Sequence, residues 1–129
     1  MMDIFESIFD IVTDCHPDVL VTSEFPHVDD LYPLAPFVVL DESPTVGEFE
    51  AWNSAEPLGE MFVLDVDIFA PTRREAIAIG KRLRSTIHGL VNMPLGVSLV
   101  DDNGIFARNE LQRDVRRVGM ECFVSYRPS

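Results

Sequence analysis

A chain of 129 residues with 47% apolar content is large enough to bury one core and too short for two. Its formal net charge of −12 speaks against binding DNA through phosphate contacts, which rest on many Lys and Arg side chains. All ten Lys and Arg follow Thr72 while sixteen of the twenty-two Asp and Glu precede it, so the first 71 residues carry −16 and the last 58 carry +4.

The opening segment Met2 to Asp14 sets Ile4, Phe5, Ile8, Phe9, Ile11 and Val12 at helical spacing, with Asp3, Glu6, Asp10 and Asp14 on the other side, which predicts an amphipathic helix with an acidic outer stripe. His16 and Pro17 end it, and Asp18 to Glu24 reads as a strand. A connection punctuated by Pro26 and Pro33 covers Phe25 to Ala35, followed by a short strand from Pro36 to Asp41. Glu42 to Glu60 has no clear period and contains Pro44, Gly47, Pro57 and Gly59, so it reads as a long loop carrying the aromatics Phe49 and Trp52.

Met61 to Ala70 alternates, with Phe62, Leu64, Val66 and Ile68 on one face and Val63, Asp65, Asp67 and Phe69 on the other, as a half-buried strand requires. Pro71 stops it, and Thr72 to Glu75 forms a capping box. Ala76, Ile79, Gly80, Leu83, Ile87 and Leu90 make the buried stripe of a second helix, from which Arg74, Lys81, Arg82 and Arg84 fall away. His88 and Gly89 suit its end as a cation and an αL residue. Gly96 to Val100 reads as a strand, Asp102-Asn103-Gly104 as a hairpin turn returning through Ile105 to Glu110, and Arg116 to Tyr126 as a closing strand. One domain spanning 1–129 follows, α+β in class: a mostly antiparallel sheet of 4–5 strands with two helices on one face.

Catalytic constellations are weak. No serine has a G-x-S-x-G setting, and no glycine loop is built to cradle phosphate. Cys15 and His16 are neighbours that point apart at a helix end; His27 with Asp29 and Asp30 lacks a second histidine at metal-site spacing. Asp65 and Asp67 share a strand face, as an acid-base pair needs, yet that face reads as solvent or interface. Asp101 and Asp102 resemble a calcium loop only superficially. No catalytic, cofactor-binding or metal-binding residue is therefore assigned. The two cysteines, Cys15 and Cys122, are expected as buried thiols; no apolar run reaches membrane-span length, and Met1 to Ile8, without a basic n-region, is not expected to be a signal peptide. Interface features are stronger: Phe49 and Trp52 as aromatic anchors, Arg74 and Lys81 on the second helix, Arg113, Arg116 and Arg117 approaching the last strand, and Asp3, Asp10 and Asp14 as the acidic counterpart.

The succession of an amino-terminal helix, the strand "PFVVL", the strand-to-helix unit "FVLDVDIFAPTRREAIAIGKRLRSTIHGL" and the closing strand "RRVGMECFVSY" resembles the tail terminator proteins of long-tailed bacteriophages. The resemblance spans nearly the whole chain and rests on pattern, with Phe62 to Leu90 carrying most of it. It implies a non-enzymatic structural protein without cofactor. Such a protein forms a homo-oligomeric, hexameric ring that caps the tail tube, stops its polymerisation and presents a surface to the head-tail connector or head completion protein. DNA would pass through the lumen without specific binding, and the protein would reside in the virion neck after assembly in the host cytoplasm. Two other expectations stand beside it: a different neck or head-completion protein, and a small acidic DNA-mimicking inhibitor.

Overall fold

The structure is a computed structural model and describes residues 3–50 and 57–127, with side chains described outside 43–59. Helix α1 runs Ile4–Cys15, capped where the Asp3 carboxylate accepts from the Phe5 amide. Strand β1 (Leu20–Thr22) follows, then a short helix α2 (Leu31–Leu34), the long strands β2 (Phe37–Glu50) and β3 (Pro57–Ala70), helix α3 (Arg73–His88), and strands β4 (Val97–Asp102), β5 (Phe106–Ala107) and β6 (Arg116–Tyr126).

The strands form one mixed sheet of six, ordered β1-β2-β3-β6-β4, with β5 also on β6. Only β1 and β2 pair in parallel; β2-β3, β3-β6, β4-β6 and β5-β6 are antiparallel. The class is α+β, and the sheet has one strand more than the sequence suggested.

Four local expectations change. Most of the expected loop from Glu42 to Glu60 is strand: β2 and β3 continue as paired arms to Glu50 and Pro57. The period was hidden because the register shifts between Glu42 and Val46, four residues of β2 facing the two-residue step from Leu64 to Phe62. Pro44 lies within that shift, where a missing amide costs no ladder bond. Trp52 lies outside the described residues, as does the side chain of Phe49, so neither anchor is placed.

Second, Asp102-Asn103-Gly104 does not reverse the chain. β3 covers all of β6 on one side, so β4 and β5 must share its other side, and their registers run on in one direction: Val97 opposite Tyr126 through to Ala107 opposite Val118. The segment is a kink in an interrupted edge strand, with Gly104 at φ +87° where L side chains are strained. Third, Gly89 is not left-handed; at φ −70° and ψ −10° it leads into a 3₁₀ turn, Gly89–Asn92, that buries Leu90. The Phe25 to Ala35 connection likewise has its own structure, a 3₁₀ turn at Val28–Asp30 before α2.

Two cores divide along the pleat. Ile8 and Val12 of α1 and Ala76, Ile79, Leu83 and Ile87 of α3 join Phe62, Leu64, Val66 and Ile68 of β3 and Val118, Met120, Cys122 and Val124 of β6 in one cluster. Each fully buried Leu or Ile there contributes about 2 kcal/mol of transfer free energy. Gly80 lets α3 approach closely, since a Cβ at that position would lie 3.1 Å from the Cδ1 atoms of both Ile105 and Ile68. A second cluster, Leu31, Phe37, Val39, Phe69 and Val115, uses the alternate positions of the same strands. Phe37 and Phe69 face each other in register and stack at 4.6 Å, with Phe25 edge-on to Phe69 at 5.4 Å.

Candidate functional site

The acidic stripe of α1 is exposed at Asp3, Glu6, Asp10 and Asp14. Phe5 and Phe9 are half-buried and stand beside it, because an amphipathic helix on a sheet leaves its flanking positions partly wet. Asp3, Phe5, Glu6, Phe9 and Asp10 line an open groove with Ser23, which follows the edge strand β1. Glu42 adds to the negative potential at this end. Although Glu42 is exposed, its carboxyl is pushed up, first by partial desolvation and then by the charges of Asp3 and Asp41.

Helix α3 carries the opposite sign. Thr72 caps it through its hydroxyl, which accepts from the Glu75 amide at 3.1 Å. At 100° per residue, its side chains divide around the axis into flanks that their partners identify. Arg82 reaches Asp18 at 3.0 Å and Thr86 meets the His16 ring at 2.8 Å, so this flank faces the end of α1. Arg84 and His88 lie on the other flank and bond the Asp102 carboxylate at the end of β4, at 2.8 and 2.5 Å. Arg73, Ile77 and Lys81 fall on the azimuth of Arg84 and His88, with Arg74 and Ala78 turned further outward. Together these five line a second open groove, continued by Lys81, Arg84, Ser85 and His88.

Since β1 and β4 are opposite edges of the sheet, the acidic groove beside β1 and the basic groove on the β4 side lie on opposite flanks of the molecule. Asp102 anchors the basic flank to the sheet. Its side chain is 1% exposed. Burial alone would raise its pKa, but hydrogen bonds from Arg84, His88 and the Gly104 amide outweigh that and lower it to about 2.

The sheet face opposite α3 holds a network that the sequence did not announce. Arg108 chelates Asp65 at 2.7 and 3.0 Å and also donates to Asp67 at 2.9 Å. Arg117 grips Asp67 with Nε at 3.0 Å and Nη2 at 2.7 Å and donates to the Asn109 carbonyl. Asp67 is 5% exposed, so such bidentate partners are what make its charge tolerable there. The guanidinium of Arg108 also covers the Phe106 ring, and that of Arg117 covers Phe25 and Phe69. Gly119 is the hidden requirement: a Cβ there would overlap the Arg108 side chain. Its presence among the alternating residues of β6 was the available signal.

The sequence-selected residues therefore separate. Asp3, Asp10 and Asp14 stand on α1, Arg74 and Lys81 on α3, all exposed. Arg113 is exposed, Arg116 turns to Glu110 at 3.2 Å, and Arg117 spends its guanidinium inside the subunit. The chain matches no protein-family model and no curated protein.

Chemically, the groups considered for catalysis are engaged otherwise. Asp65 and Asp67 accept from guanidinium groups, and the His16 ring is tied to Thr86. His27 caps a turn by accepting from the Asp29 amide. Cys122 is buried and its thiol is pushed up to about 12, first by burial and then by the Asp102 charge, so it is not a thiolate at neutral pH. Cys15, expected to be buried, is exposed: it is the last residue of α1, where the helix runs out. Among the described residues no cluster of three or more His, Cys, Asp or Glu could hold a metal, and no helix is long and apolar enough to cross a membrane.

Proposed function

We propose that this protein is a structural component of a phage virion: a ring-forming tail terminator that caps the tail tube, stops its growth and joins the tail to the head connector. The observation that carries the reading is the placement of opposite charge on opposite flanks, an acidic groove at the β1 side and a basic groove at the β4 side. A subunit polarised in this way associates head to tail, which closes into a ring when the rotation permits, whereas an isologous dimer would bring like charges together. The layout of α1 and α3 sharing one cluster with β3 and β6 is in keeping with a tail-terminator-like fold of helices on one sheet face.

The role is non-catalytic and needs no cofactor. Steric and electrostatic complementarity supplies the ring, tail tube protein and head completion protein are the partners above and below, and excess acid toward the lumen lets DNA pass without adhering. The test is polymerisation of purified tail tube protein with and without this protein, followed by electron microscopy. Tubes of bounded length carrying a terminal ring are expected; unrestrained growth with no density at the tube ends overturns the reading. Selective capture of a portal complex in place of tube ends would instead assign it to the adjoining neck.

A further inference from the structure

Six charged side chains that line these two grooves have no ion pair among the described residues: Asp3, Glu6 and Asp10 on α1, and Arg73, Arg74 and Lys81 on α3. Their neighbours are spent internally, Arg82 on Asp18 and Arg84 on Asp102. Both sets line open grooves that also contain apolar groups, Phe5 and Phe9 in one, Ile77 and Ala78 in the other. Resting on the ring-forming reading above, we infer that the α1 groove is the seat for the α3 flank of the next copy of this chain. Asp3, Glu6 and Asp10 meet Arg73, Arg74 and Lys81, and the Phe5 and Phe9 rings receive Ile77.

Several features favour a second copy as occupant. The unpaired charges lining the two grooves balance, three against three. The apolar pair gives the contact a dry centre inside a charged rim, the usual anatomy of a specific interface. The acidic groove is open and offers about 400 Å³, room for several side chains projecting from a helix. Because the two grooves are on opposite flanks of one subunit, each copy offers its basic flank to one neighbour and its acidic groove to the other. No subunit then meets itself symmetrically. His88 and Arg84, held by Asp102, fix the basic flank relative to the sheet, so rotation between subunits is set by the fold and not by flexible side chains.

The test exploits charge reversal. Variant one carries Glu6→Lys and Asp10→Lys, leaving both surfaces basic; variant two carries Arg74→Glu and Lys81→Glu, leaving both acidic. All four positions are exposed, so melting curves are expected to stay close to the parent. In native mass spectrometry and sedimentation velocity at low salt, the parent assembles and each variant alone shows at least tenfold weaker self-association. An equimolar mixture restores assembly with the two variants alternating. The quadruple variant, with both surfaces exchanged, assembles with itself and excludes the parent. A strict monomer for the parent, undiminished assembly by either variant, or a mixture that stays dissociated overturns the inference. Tube capping is scored separately: assembled rings that leave tubes uncapped sink the tail-terminator reading while the copy-to-copy contact stands.

Discussion

Replacing Asp102 by Asn removes one charge from a buried site and leaves its shape intact. The Asp102 carboxyl, held between Arg84, His88 and the Gly104 amide, titrates at about 2 instead of its ordinary 3.8. By linkage that displacement corresponds to about 2 kcal/mol of folding stability at neutral pH. The carboxylate is 1% exposed but its partners Arg84 and His88 are 52% and 38% exposed, so solvent screening makes about 2 kcal/mol the upper end of the contribution. The folded-state pKa lies below the unfolded one; the stabilisation is therefore complete above about pH 4 and is lost as pH falls toward 2. Asp102→Asn is expected to lower the urea midpoint at pH 7 with unchanged slope, a loss of up to about 2 kcal/mol, and the melting temperature by up to roughly 5–10 °C. The gap between variant and parent then narrows steadily between pH 4 and pH 2. Equal stability at pH 7, or a deficit that persists undiminished at pH 2, refutes the electrostatic account.

Gly119→Ala is expected to displace Arg108 from Asp65 and Asp67 and cost about 2–3 kcal/mol, the price of breaking part of a buried ionic network. In an Arg108→Ala background the same change should cost under about 1 kcal/mol; additive losses in a double-mutant cycle followed by chemical denaturation would show that the two do not share one mechanism. Glu42→Gln addresses an exposed carboxyl whose pKa is raised, first by partial desolvation and then by Asp3 and Asp41, above its ordinary 4.5. A raised carboxyl binds its proton more tightly when folded, so the parent loses stability as pH rises through that window. The variant is expected to melt higher than the parent at pH 7 and to converge with it below about pH 4. Identical melting at both pH values would count against partial desolvation and like charge at Glu42.

Strong local periodicity made several elements legible. The alternation from Met61 to Ala70 is the C-terminal part of β3, the stripe from Ala76 to Ile87 is buried in α3, and the alternation after Arg116 is β6 over Arg116–Tyr126. Each pattern is imposed by a single neighbouring layer, so one stretch of sequence contains all of the information. The arms of β2 and β3 beyond Glu42 were not legible because their regularity belongs to a register shift between two strands. The kink at Gly104 was misread as a hairpin for a related reason. Asp-Asn-Gly specifies a local bend, and whether the chain reverses there depends on which edge the next residues find.

By itself, the sequence determined the α+β class, the amphipathic character of α1 and α3, the capping of α3 by Thr72, and the separation of negative from positive charge at that residue. These follow from propensity, short-range spacing and composition, which need no partner segment. Only tertiary structure decided that the acids of α1 and the cations of α3 line opposite flanks, because this depends on α1 lying toward β1 and on α3 turning Arg84 and His88 toward β4. It alone divided the arginines: Arg108 and Arg117 neutralise Asp65 and Asp67 across more than forty residues of chain, while Arg74 and Lys81 remain outward. Charge is written in the sequence, but the distance between charges is set by strand pairing, and Coulomb energy depends on that distance and on the burial around it.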